Sequence, residues 1–91
     1  MFDVRYAESG EIVLSGRFDA SQAQQAEAFM DGVMESCVVD LAGLEYISSL
    51  GLGVLLKTQK RLMARGGGLK LVNASRHVRD VFHYSGFDRI F

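Results

Sequence analysis

The chain has no proline, one cysteine, two histidines and no apolar run near the about 18 residues of a membrane span. Each shortage excludes something. A lone Cys37 cannot close an internal disulfide, which fits a reducing, cytoplasmic setting. Its place in Cys37-Val38-Val39 makes it a buried structural thiol, not a nucleophile. The N-terminus, Met1-Phe2-Asp3-Val4-Arg5, lacks the basic stretch and apolar run of a secretory leader. His77 and His83 stand about 240° apart around a helix and cannot share a metal. No Gly-x-Ser-x-Gly elbow occurs, because Ile47 occupies the place of the first glycine before Ser49. Gly51-x-Gly53 falls inside a helical period and lacks the third glycine of a dinucleotide loop, so both glycines are assigned to close helix packing. No metal, cofactor or catalytic set is expected, and binding is the remaining way for the chain to act. Charge imbalance is missing as well. The 10 Lys and Arg against 11 Asp and Glu leave a net charge of -1, which gives nucleic acid or an anionic membrane nothing to follow.

With no proline, repeat or low-complexity tract to divide it, the 91-residue chain is expected to form one domain over residues 1–91. Its 48% hydrophobic and 23% charged residues are enough for a packed core. Phe2, Val4 and Tyr6 alternate with polar residues, and Ile12 and Leu14 do so again after Ser9-Gly10, so residues 1–16 predict a hairpin. Asp19 or Ser21 then caps a helix with Phe29, Met30, Val33 and Met34 on its apolar side, ending near Gly32. Residues 37–41, apolar on both alternating faces except Asp40, predict a central strand covered on both sides. Leu52, Leu55, Leu56, Leu62 and Met63 describe a long helix from about Ser49 to Arg65, stopped by Gly66-Gly67-Gly68. Lys57, Lys60, Arg61 and Arg65 in its later half are assigned to a solvated face that meets the negative end of the helix dipole. A strand at Leu69-Val72 and a helix capped by Ser75 follow, the helix carrying Val78, Val81 and Phe82 and ending at Gly86. Phe87 to Phe91 is expected to begin a last strand. The order predicts an α/β fold: a mixed four- to five-stranded sheet with a parallel centre, packed by about three helices.

One junction is unusual, Glu45-Tyr46-Ile47-Ser48-Ser49-Leu50-Gly51-Leu52-Gly53, where two adjacent hydroxyls meet the start of the most apolar helix. Ser48 or Ser49 suits an N-cap. The same free N-H groups and positive dipole end also tolerate a phosphate, and a phosphoserine would add about -1.5 to -2 charge to a nearly neutral domain.

Here the sequence resembles the STAS domain family, whose type members are bacterial anti-sigma factor antagonists. Gly16-Arg17-Phe18-Asp19-Ala20 resembles the family's start of the first helix, and Val38-Val39-Asp40-Leu41 its central strand. Ile47-Ser48-Ser49-Leu50-Gly51-Leu52 resembles its phosphorylation loop, Gly66-Gly67-Gly68-Leu69 the next turn, and Ser85-Gly86-Phe87 the end of the third helix. The resemblance implies that Ser49, with Ser48 as the alternative, is phosphorylated by an ATP-binding anti-sigma factor serine kinase. It implies partner contacts at Asp19, Asp40, Ser48, Leu50, Gly51 and Leu52, the two acids lying near the same loop. Ser48 stands where the family often has Asp, and Leu50 where a second hydroxyl is common. The chain ends at Phe91, short of the strand and helix usual in the family, which would leave apolar surface for a partner or a second copy in a homodimer. The resemblance also admits an alternative, a constitutive accessory subunit of an ABC-type transport complex.

Overall fold

The computed structural model describes residues 1–89. Strand β1 (Phe2–Tyr6) and strand β2 (Ile12–Phe18) form the predicted antiparallel hairpin, with Val4 opposite Leu14. Its turn closes through the Ala7 N-H on the Glu11 carbonyl at 2.8 Å, with Gly10 at φ +93°. β2 continues past the predicted end because Gly16, at φ +83°, lets the strand jog where a Cβ would run into the Met1 carbonyl. Asp19 then caps a single 3-10 turn, Ala20–Gln22, which leads into helix α1 (Ala23–Met30). Strand β3 (Cys37–Ile47) lies parallel to β2. Helix α2 (Ser49–Met63), strand β4 (Leu69–Val72, parallel to β3) and helix α3 (Arg76–Ser85) follow. The sheet order is β1-β2-β3-β4, so β3 is interior, in a mixed four-stranded sheet with three helices.

The helix ends are written in residue types that suit them. Ser48 and Ser75 are N-caps whose hydroxyls accept from the Gly51 and Val78 N-H groups. Past α2, Gly66 takes a left-handed φ of +84° and the Gly67 N-H reaches back to the Leu62 carbonyl at 2.9 Å, the geometry that satisfies a last-turn carbonyl. Gly86 does the same for α3 at φ +76°, and Phe87 packs against the core. Among the described residues no helix is long and apolar enough to cross a membrane.

Five expectations are corrected. β3 runs eleven residues, not five, with Val39, Leu41, Leu44 and Ile47 buried and a register irregularity between Val13 and Ser15 of its neighbour that hides the alternation. It is covered on one face, not both. The core that α1 and α2 share with Ile12, Leu14, Val39 and Leu41 is one cluster, while Val38 and Lys70 are exposed and Val13 and Asp40 half-buried. Cys37 is only half-buried, because it opens β3 at the sheet's rim, with Sγ 3.7 Å from the Gly10 carbonyl oxygen; partial burial pushes its thiol up. Arg61 is not a solvated cation. Its guanidinium donates to the Met30 carbonyl at 2.7 Å and the Val33 carbonyl at 2.8 Å, closing the C-terminal end of α1 from α2. Phe87–Arg89 form a 3-10 turn in place of a strand, since Gly86 reverses the chain there; residues 90–91 of that expected strand lie outside the described residues.

Candidate functional site: the paired strand ends and the start of helix α2

Parallel pairing sets Phe18 of β2 beside Ile47 of β3, and the Ser48 N-H donates to the Phe18 carbonyl at 2.8 Å. The residues that follow each strand, Asp19 and Ser48, therefore stand together at one end of the sheet, both extended and both capping a helical segment. Asp19 accepts from the Ser21 hydroxyl at 2.6 Å and the Ser21 N-H at 3.1 Å, while Gln22 reaches back to the Asp19 N-H at 3.2 Å in a capping box. The Ser21 hydroxyl holds the Asp19 carboxyl below its ordinary value of 3.8.

The two serines are not equivalent. Ser48 Oγ accepts the Gly51 N-H at 3.1 Å and is half-buried. Ser49 is the first residue of α2 and exposed, and its hydroxyl has no hydrogen-bond partner among the described residues. Beside it Leu50 is 56% exposed.

Of the remaining expected site residues, two are buried in the first turn of α2 and one is distant. Leu52 is 4% exposed and belongs to the core. Gly51 is also buried, and a Cβ there would stand 3.0 Å from Ile47 and 3.1 Å from Phe18; close packing explains this glycine. Gly53 does not follow the same reasoning, because a Cβ on it would meet nothing within 4 Å. Asp40 is not near the loop: it sits seven residues before Ile47 on β3, roughly 20 Å away at strand rise. There it accepts from the Ala42 N-H at 2.9 Å and Asn73 Nδ2 at 3.2 Å.

The structure adds a group that residue patterns did not reveal. Arg17 lies opposite Tyr46, one step before the paired strand ends; its guanidinium sits 4.5 Å over the Tyr46 ring, which stacks with His77 of α3 at 6.4 Å. Strand register joins the first two and the packing of α3 on β3 brings in the third, so no sequence motif could have announced them. A shallow pocket of about 300 Å³, lined by Tyr6, Met34 and Cys37 among others, lies at the opposite end of the sheet. Among the described residues no group of three or more His, Cys, Asp or Glu is placed to hold a metal ion. The arrangement at the strand ends offers an unengaged primary hydroxyl and an exposed leucine on a rigid helix start. The Asp19 carboxylate at the neighbouring strand end is engaged as a cap.

Comparison with known proteins agrees with this geometry. The chain is 40% identical over 82 residues to BtrV of Bordetella bronchiseptica, a protein assigned as an anti-sigma factor antagonist, covering 86% of this chain and 71% of that one. The anti-sigma factor antagonist SpoIIAA in its unphosphorylated form superposes with a TM-score of 0.75 at 26% identity, over 94% of this chain and 81% of that one. Bacillus SpoIIAA in the phosphorylated form gives a TM-score of 0.71 at 24% identity, over 98% and 86% of the two chains, and shares the fold. The family described as "Mlab, STAS domain" matches residues 3–91. With the mixed four-stranded sheet, the long helix behind the paired strand ends and that match over nearly the whole length, the chain belongs to the STAS domain family.

Proposed function

We propose that this chain is an anti-sigma factor antagonist: a binding module that captures an anti-sigma factor serine kinase and releases it when Ser49 is phosphorylated. The observation that carries the choice of residue is the division of labour between the serines. Ser48 is committed to the Gly51 N-H as the cap, whereas Ser49 presents an exposed, unengaged hydroxyl. The resemblance to BtrV and SpoIIAA, both of which carry the antagonist name, supports the partner class.

The physical effect falls on the partner. A phosphate on Ser49 would be stabilised by the positive end of α2, so the fold itself has little reason to change. A partner surface closing over Leu50 would have to desolvate a dianion instead, which is costly without a cation to receive it. Asp19 at the rim adds a like charge. Incubation with such a kinase and ATP is expected to add one phosphate, mapped by mass spectrometry to Ser49 and lost in Ser49→Ala. Ser49→Asp is expected to bind the kinase at least about tenfold more weakly, about 1.4 kcal/mol, with Ser49→Ala close to wild type. Equal affinity of all three would sink the switch and favour a constitutive accessory subunit of a transport complex.

A further inference from the structure

The end of the sheet away from Ser49 carries a trough that the proposed switch does not use. Three connections meet there: the β1-β2 turn, residues 31–36 between α1 and β3, and residues 64–68 between α2 and β4. Between them lie three shallow hollows of about 300, 260 and 220 Å³. Ser36 lines all three, Cys37 joins the first to the second, and Met34 joins the first to the third, so they form one continuous depression. Tyr6, Met34 and Val38 line it while 52%, 54% and 37% exposed, which gathers three large apolar side chains on one open wall instead of scattering them singly. The wall is held in place. The Tyr6 ring lies 5.0 Å from that of Phe29, and Met34 Sδ accepts from the Arg61 guanidinium at 3.6 Å.

The charge of this trough is a matter of position in space. Glu35 lines the first and third hollows and Glu11 the second, and among the described residues no lysine, arginine or histidine lines the first two. The Cys37 thiol is pushed up chiefly by burial and further by the Glu11 charge, which sets that carboxylate against the floor. The cations nearby are engaged or peripheral. Arg61 donates to the Met30 and Val33 carbonyls, Lys57 pairs with Glu27 and has Asp31 beside it, and Arg5 pairs with Asp3 at 3.2 Å. Arg65 is confined to the third hollow, and Lys70 stands opposite Val38 on β4, outside the lining. Glu11 and Glu35 make no ion pair among the described residues, so both are open to a cation from outside.

We propose that this trough is a second docking site, which takes a basic segment of another protein: its arginine or lysine side chains reach Glu11 and Glu35, and an apolar side chain between them packs on Tyr6, Met34 and Val38. Charge complementarity selects the sign of the occupant and the open wall selects its apolar part. Three linked hollows with no closed cavity suit an extended chain more than a compact ligand. The site is also electrically separate from Ser49. Helix α2 runs 15 residues, about 22 Å, between the two ends, well beyond the about 8 Å over which exposed charges act at physiological salt. The chain can therefore hold one partner at this end while the other end exchanges its own.

The probe is a synthetic peptide of alternating arginine and leucine, with one control peptide carrying glutamate for arginine and another carrying serine for leucine. Binding is read by titration calorimetry and by alkylation of Cys37, the chain's one thiol, which sits in the trough and reports its occupancy. The arginine-leucine peptide is expected to bind wild type, to slow alkylation of Cys37 as it saturates, and to lose affinity at higher salt. Its affinity is expected to fall at least about tenfold in Met34→Ser and in the double variant Glu11→Lys, Glu35→Lys, and to be unchanged in Ser49→Asp. Unfolding midpoints within about 4 °C of wild type separate lost binding from lost fold, and the control peptides test the same chemistry on the unaltered chain. No binding at about 1 mM peptide overturns the site. Equal binding of either control peptide, an unaltered rate at Cys37, or weaker binding in Ser49→Asp does so as well. Self-association of wild type that the double charge variant abolishes, seen by sedimentation, overturns it in favour of a second copy of the chain.

Discussion

Ser48 and Ser49 carry the same side chain one peptide apart, yet the start of α2 uses them for different ends. Ser48→Ala removes the acceptor of the Gly51 N-H and is expected to cost about 1 kcal/mol, read by chemical denaturation. Ser49→Ala removes an exposed hydroxyl with no partner among the described residues and is expected to stay within about 0.5 kcal/mol of wild type. Sequence alone left the cap with either serine, because what separates them is the bond from the Ser48 N-H to Phe18, a residue on another strand. Asp19 was legible as a cap for the opposite reason: Ser21 and Gln22 lie within three residues of it. Its depressed carboxyl gives a sign for pH. The charged cap is more stable in the folded chain, so its contribution is present above the ordinary value of 3.8 and is lost as pH falls through the lower folded value. Asp19→Asn is expected to flatten the acid side of the stability profile below that pH, measured by thermal unfolding.

Helix α1 and helix α2 meet through more than apolar contact. Arg61 of α2 reaches the carbonyl of Met30, the last residue of α1, and that of Val33 just beyond it, and a planar two-armed donor suits two carbonyls at 2.7 and 2.8 Å. Arg61→Ala is expected to cost about 1.5 to 3 kcal/mol, as for hydrogen bonds to a charged group. Arg61→Lys should recover only part of that, because a single ammonium does not reproduce the fork. Chemical denaturation of the pair checks both. The periods of α2 and α3 and the glycines that stop them could be read directly from residue spacing, since a helix is decided over a few neighbours. β3 could not be read to its end, because Ala42-Gly43 interrupts the alternation and only pairing with β2 carries the strand on to Ile47. Asp40 was misplaced for the same reason: it matches an acid in a motif, but the length of β3 carries it away from the loop.

Across the molecule, the sheet keeps one face for the core and leaves the other largely to solvent. Stability should therefore concentrate where strands flank β3 on both sides. Cys37 to Asp40 pair with β4, and Val39 and Asp40 pair with β2 as well. Hydrogen exchange is expected to find the Val39–Leu41 amides among the slowest. Val39→Asp, which buries an unpaired charge at a fully buried position, should cost about 3 kcal/mol or more.

The bond from the Ser48 N-H to the Phe18 carbonyl has one more consequence. It joins residues far apart in the chain, across the whole β2-α1-β3 crossover, so the start of α2 is shaped by a closure that no short segment can make for itself. On the proposed reading, Ser49 is then an address that exists only once the crossover has closed. A kinase that recognises that shape reads a completed molecule and passes over nascent or unravelled copies. An excised peptide spanning residues 43–56 should accept phosphate far more slowly than the intact chain.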